Sequence, residues 1–350
     1  MFEKVLKFPH ARVIRIGLSF ILFFLAINLS VYLFMPSYKQ TLRASEFFLD
    51  LNICNFSDKD IDDVIDLIKT DKNNKIFLLG DSVSYGIGTA ENDSISGYLR
   101  ESKKMYSVYN LSVCGAKPLD YYLWINYLNK INPGEKNIYL VQYNYKWFPI
   151  KDDKLENYIS QKKALYRFSE FLTQEFKDKL EFNPGWFDFF KYNIEKILPV
   201  VSNKDRLFAL IFKERSKEDL IKHLMSGPVK QPTFEEKKKN FNCKIDYASS
   251  LWNKETDFNY KVYLKTLALI KEKNINAVVY LPAYNSDIIA RCRDANFDIN
   301  TTGFIKDAGS LNVKVFESTS QISQEYFLDD MHLNSEGNKI FSQILSQKIL

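Results

Sequence analysis

Lys75-Ile-Phe-Leu-Leu-Gly-Asp-Ser82, continued by Val83-Ser84-Tyr85-Gly86, carries an uninterrupted apolar run straight into a Gly-Asp-Ser turn. A run this short with no polar alternation reads as a strand buried on both faces and ended by a loop. Comparable runs recur at Ser107–Val113, Asn137–Gln142, Ala277–Pro282 and Val313–Phe316. Between and after them lie the helical patterns Ile95–Lys104, Asp120–Asn129, Tyr260–Lys273 and Ser335–Lys348. Buried strands alternating with helices predict an α/β protein with a mainly parallel five-stranded sheet covered on both faces. The tract 150–256 breaks this rhythm. Its lysine- and phenylalanine-rich segments, Leu165–Leu180 and Lys204–Met225, predict a helical insertion, with Glu235–Lys239 as a solvated helix face.

The first forty residues have a different character. From Ile16 to Met35 no charge occurs, and only Ser19, Asn28 and Ser30 interrupt the apolar run. At ~1.5 Å per residue such a helix matches the ~30 Å hydrocarbon core of a bilayer. Lys4, Lys7, Arg12 and Arg15 precede it, against Lys39 and Arg43 after it, which places the N-terminus in the cytoplasm. Leu33-Phe34-Met35 is too bulky for a signal-peptidase site, so the span is expected to stay attached. The expected organisation is a cytoplasmic N-terminus over 1–15, a transmembrane helix over 16–35 and a membrane-proximal stalk over 36–74. The α/β domain over 75–350 follows, in the periplasm or outside the cell.

The 48 basic and 43 acidic residues are spread along the chain, which gives no reason to expect a nucleic-acid partner. The four cysteines, 54, 114, 243 and 292, lack CxxC or CxxH spacing, so no metal site is expected. Cys54 lies near the membrane and Cys114 beside the candidate site, which leaves Cys243 and Cys292 as the expected disulfide pair. Cys114 itself is expected to pack as a buried thiol.

Candidate chemistry falls at strand ends, where an open α/β sheet holds its ligands. Ser82 follows the first strand at the start of a helical turn whose backbone N–H groups favour negative charge. A serine hydroxyl needs a base, and the base needs an orienting acid. Asp329-Asp330-Met331-His332, just before the last helical pattern, supplies both from one turn. Of the three histidines, His10 precedes the span and His223 lies on a lysine-rich amphipathic segment, which leaves His332 as the base.

These blocks resemble the GDSL/SGNH hydrolases. Gly80-Asp81-Ser82-Val83-Ser84 is similar to their first block, Gly115 to the glycine of the second, and Asn144 in Gln142-Tyr143-Asn144-Tyr145 to the asparagine of the third. Asp329-x-x-His332 is similar to the fifth. The resemblance implies a three-layer α/β/α fold and acyl-ester chemistry without metal or cofactor. It also implies Ser82, His332 and Asp329 as a catalytic triad, with an oxyanion held by the N–H groups of Ser82 and Gly115 and by the Asn144 amide. Tyr145 and Trp147, beside the expected site, are candidate sugar-stacking or acyl-pocket residues.

Three functions fit this pattern. The first is an O-acyltransferase or esterase acting on a cell-envelope glycan, with an acyl donor or acylated glycan as partner. Similar single-span proteins work with a multi-span membrane acyltransferase. The second is a lipase- or thioesterase-like hydrolase, with Phe182–Tyr192 as a lid. The third is a scaffold that keeps the fold without catalysis.

Overall fold

The computed structural model describes residues 9–34, 38–43, 46–47, 53–148, 158–160, 162–212, 221, 224, 233–241, 251–291, 295–317 and 321–349. The main elements are α1 (Pro9–Phe34), α2 (Asp58–Thr70), β1 (Asn74–Leu79), α3 (Ile95–Ser102), β2 (Tyr106–Asn110), α4 (Pro118–Ile131) and β3 (Ile138–Gln142). They continue with α5 (Trp186–Ile197), α6 (Phe234–Lys239), α7 (Phe258–Glu272), β4 (Ala277–Tyr280), α8 (Ala295–Ser310), β5 (Lys314–Phe316) and α9 (Ser335–Lys348).

The five strands form one parallel sheet in the order β2-β1-β3-β4-β5. Successive side chains of a strand point to opposite faces, and both faces are apolar here. Phe77, Leu79, Tyr139, Val141, Ala277 and Val279 join the core under α2, α4, α7 and α8. Ile76, Leu78, Ile138, Leu140, Val278 and Tyr280 join the core under α3 and α9. This double burial is why the strands read as unbroken apolar runs, and it makes the three layers of an α/β/α fold.

The stalk expected over 36–74 needs correcting. Ile61, Val64, Ile65 and Ile68 are fully or almost fully buried in the sheet's core, at the i, i+3, i+4, i+7 spacing of a helix packed along one face. Ser57 and Asp60 close a reciprocal cap at the start of α2. The folded domain therefore begins before residue 75. Tyr38 is buried in the same core, and the Arg43 guanidinium donates to the carbonyls of Tyr85, Gly86 and Thr89. The segment leaving α1 is thus fastened to the loop that follows Ser82.

The expected cysteine pairing changes too. Cys243 and Cys292 lie outside the described residues, whereas Cys54 and Cys114 form a disulfide with Cα atoms 5.4 Å apart. The Cys114 N–H also donates to the Cys54 carbonyl at 3.2 Å. Cys114 is therefore not a buried thiol. Its nearness to the site is what the disulfide uses, since it ties the loop carrying Gly115 to the segment between α1 and α2. The bridge closes a loop of sequence separation 60, for which loop-closure entropy gives about 4 kcal/mol and typical disulfides about 2–4. Peptide mapping without reduction should recover Cys54 linked to Cys114. The Cys54→Ser/Cys114→Ser protein should lose about 2–4 kcal/mol in urea unfolding of the full chain in detergent. Quantitative alkylation of both cysteines without reductant would contradict the pairing.

Candidate active site

The site begins where β1 stops. Gly80 is the last residue before the turn, and a Cβ there would come within 2.5 Å of the Ser84 side chain and 2.7 Å of Gln142 Oε1, so the crossing leaves room for glycine only. Asp81 then caps the short helix Ser82–Tyr85 by accepting the Val83 N–H at 3.0 Å. The same carboxylate, buried, accepts from Gln142 Nε2 at 2.7 Å and Asn144 Nδ2 at 2.9 Å. The other end of the Gln142 amide accepts the Ser84 N–H at 3.1 Å and the Ser84 hydroxyl at 2.5 Å. Ser84 Oγ also lies 2.5 Å from the Tyr280 hydroxyl on β4. The ends of β1, β3 and β4 are joined in this way beneath Ser82.

The second half comes from the loop after β5. Phe327 pairs with Leu333 in an antiparallel bridge, and Leu328 N–H donates to the His332 carbonyl at 2.7 Å, closing a tight hairpin around Asp329-Asp330-Met331. Asp329 Oδ1 accepts the backbone N–H groups of Met331 and His332 at 3.0 and 2.8 Å. Asp329 Oδ2 lies 2.7 Å from His332 Nδ1, and His332 Nε2 lies 2.8 Å from Ser82 Oγ. Ser82, His332 and Asp329 therefore form one hydrogen-bonded chain, assembled from residues 250 positions apart. Asp330 points elsewhere and pairs with Lys146 Nζ at 2.8 Å, so the register of the hairpin selects Asp329 to face the imidazole.

The charges follow this geometry. Burial alone would push the Asp329 carboxyl up, but the His332 charge and its hydrogen bonds outweigh burial and hold it well below the usual carboxylate range. Burial would lower the His332 imidazole, and the Asp329 charge and hydrogen bond override it and raise it above the ordinary histidine value. Asp330 is raised, chiefly by burial, against the opposing pull of Lys146.

The remaining candidates separate. Gly115 has φ +73°, a left-handed conformation suited to glycine, and a built Cβ would meet no atom within 4 Å, so this loop faces open space. Val113 N–H donates to the Gly80 carbonyl at 3.1 Å, which holds the Gly115 loop against the Ser82 turn. Among the described residues, neither the Ser82 nor the Gly115 N–H has an acceptor. Asn144 is buried, with its amide on Asp81 and 3.2 Å from the Met331 sulfur, so in this arrangement it braces the turn rather than facing open space. Tyr145 is also buried, against Val83, Tyr284, Phe297 and Met331, and is packing rather than a surface for substrate. Trp147 is half-buried, with Lys117 Nζ 5.6 Å from its ring centroid.

The segment expected as a lid does not cover the site. Phe182 and the residues of α5 pack instead against Tyr166 and reach Asp58. Among the described residues of the insertion, Phe234 on α6 lies beside the histidine, its ring centroid 6.2 Å from that of His332. The Glu235–Lys239 cluster is thus the outer part of a helix whose first residue walls the site. Phe234, Gln142 and Arg43 were not singled out as site residues in the sequence. Gln142, two residues before Asn144 at the end of an apolar strand, carried the clearest signal, a polar side chain where a buried strand should be apolar.

The strand order, the serine after the first strand and the Asp-x-x-His hairpin after the last define a three-layer α/β/α architecture with an assembled serine-histidine-aspartate chain. No protein-family model matches the sequence, and no curated protein does. Among solved structures the chain is similar to a lipolytic G-D-S-L family protein of Veillonella parvula, with TM-score 0.39, 10% identity, and coverage of 78% of this chain and 96% of that one. It is similar also to an acetyl xylan esterase, with TM-score 0.37, 11% identity, and coverage of 79% and 100%. A third is a carbohydrate acetylesterase family member of Sinorhizobium meliloti, with TM-score 0.34, 10% identity, and coverage of 79% and 99%.

With only three histidines in the chain, NMR titration can isolate His332. Its imidazole should titrate above the ~6.5 of a free histidine, and in Asp329→Asn the midpoint should fall, because the charge that stabilises the imidazolium is gone. An unchanged midpoint would mean that Asp329 does not face the ring in solution.

Proposed function

We propose that the chain is a membrane-anchored serine acyl-transfer enzyme, an O-acyltransferase or esterase acting on a cell-envelope glycan. The observation that carries this reading is the continuous hydrogen-bonded chain Ser82–His332–Asp329. Ser82 Oγ attacks the carbonyl carbon of an acyl ester while His332 Nε2 takes its proton, and Asp329 keeps Nδ1 protonated and stabilises the imidazolium. The tetrahedral oxyanion is received by the Ser82 and Gly115 N–H groups, a type of donation worth on the order of 3 kcal/mol per donor. His332 then returns the proton to the departing alkoxide oxygen, which leaves an acyl group on Ser82. A water or a sugar hydroxyl, deprotonated by the same imidazole, removes that acyl group and restores the serine.

The glycan reading is supported by α1. Val13–Phe34 is a helix long and apolar enough to cross a membrane, and its side chains are almost all exposed. An enzyme so anchored, with its N-terminus inside, works on the envelope rather than on soluble metabolites. A separate multi-span acyltransferase is the natural source of the acyl group if the acceptor is a sugar hydroxyl.

Toward an aryl acetate, the Ser82→Ala and His332→Ala full-length proteins should each lose about 10³-fold or more in kcat, and the double variant should be no worse than either alone, because the two act as one unit. Circular dichroism should remain that of the parent. Full activity of His332→Ala would overturn the mechanism.

A further inference from the structure

We propose that α5 is a second membrane contact, lying in the outer interface of the bilayer that α1 crosses; this rests on the reading of α1 as a membrane span. The first observation is a hydrogen bond. The backbone N–H of Val200, in the short helix Pro199–Ser202 that follows α5, donates to Asn28 Oδ1 at 3.1 Å. Asn28 lies within the uncharged run Ile16–Met35, seven residues before its end. At ~1.5 Å per residue, that places Val200 about 10 Å below the outer edge of the apolar span. Over the described residues 13–34, Asn28 and Val31 are the buried positions of an otherwise exposed helix. The hairpin between α5 and the helix Lys204–Phe212 is therefore held against α1 at membrane depth.

The second observation is the outer face of α5. Trp186, Phe187, Phe190, Ile194 and Ile197 are all exposed, Trp186 by 80% and Ile197 by 71%. At ~100° per residue they fall in one arc of about 100°. The four charged residues of the helix, Asp188, Lys191, Glu195 and Lys196, lie outside that arc. Its other side already has a partner: Tyr192 stacks on Tyr166 with centroids 5.4 Å apart, Phe189 meets the same ring at 5.9 Å, and Lys196 reaches Asp62 at 3.9 Å. One face of the helix is thus docked on the domain and the other is a bare aromatic and aliphatic stripe. Trp and Phe on one side with lysines flanking it is the composition of a helix lying in a lipid interface. Continuity with α1 through Val200 and Asn28 makes that occupant the lipid around α1.

The consequence is orientation. A single span alone leaves a domain free to tilt, whereas a span plus an interfacial helix fixes it in two places. Arg206, just beyond the hairpin, extends the fixed base by pairing with the buried Asp60 of α2.

Trp186 supplies the probe. Of the four tryptophans, Trp124 is buried in the core, and Trp147 and Trp252 are half-buried within the domain. The full chain, reconstituted in phosphatidylcholine vesicles brominated near the top of the acyl chains, should show lipid quenching of its fluorescence, and Trp186→Phe, which keeps the stripe apolar, should reduce that quenching severalfold. Bromines near the chain ends should quench weakly. Equal, weak quenching of both proteins while each resists alkaline carbonate extraction would overturn the proposal and leave the anchor intact. Release of the protein by carbonate would overturn the anchor and this proposal with it. Trp186 shielded from lipid but exposed to acrylamide on dilution in excess lipid would assign the stripe to a second copy of the chain and overturn the lipid reading.

Discussion

The structure depends on the buried carboxylate of Asp81. It accepts hydrogen bonds from Val83 N–H, Gln142 Nε2 and Asn144 Nδ2, and so binds the turn after β1 to the end of β3 directly beside the half-buried Ser82. A carboxyl group in the protein interior is tolerated only when its oxygens are engaged, and here three donors engage it. Removing any one partner would leave a buried polar atom short of a hydrogen bond at the spot where the serine must be held in position relative to the imidazole. Gly80 belongs to the same constraint, because only an absent Cβ lets the strand pass beneath Ser84 and Gln142.

The His332 hairpin is built on the same logic of a short, fully engaged carboxylate. Asp329 uses one oxygen on two backbone N–H groups, which fixes the loop, and the other on Nδ1, which fixes the ring. The loop and the tautomer are therefore set by one residue. Its neighbour Asp330 is drawn away by Lys146, so the two adjacent acids have separate tasks. Around this pair the segment between α1 and α2 is tied inward, by Arg43 on the loop after Ser82 and by the Cys54–Cys114 bridge on the Gly115 loop. The segment leaving α1 thus supports two of the loops that shape the site.

Much of this was legible in the sequence. The five apolar runs marked β1 to β5, because strands covered on both faces cannot alternate polar and apolar residues. Ser82 and the Asp329–His332 turn stood out because they follow such runs and carry the residue types acyl chemistry needs. The helix α2 was legible too, since Ser57 and Asp60 cap it and Ile61, Val64, Ile65 and Ile68 keep helical spacing; assigning 36–74 to a stalk obscured it. Other features depend on tertiary placement and left no local mark. Cys54 meets Cys114 because the two-residue strand Ile53–Cys54 passes beside the second loop, and Phe234 meets His332 across almost a hundred residues. The aromatic run after Asn144 misled in the opposite direction, because Tyr145 looks like a stacking residue and is buried against Phe297 and Met331. The stripe on α5 was visible as residues but looked like a lid, since nothing local says that Val200 returns to Asn28.

The central claim is that Ser82 becomes acylated. Mixing the full-length protein in detergent with excess aryl acetate, quenching in acid within the first turnover and mapping the peptides by mass spectrometry tests it directly. The account predicts a single acetyl group on the peptide containing Ser82, absent when the protein is denatured before mixing. Turnover with no acetylated serine, or an acetyl group on another residue that is lost with the activity when that residue is replaced, would contradict it.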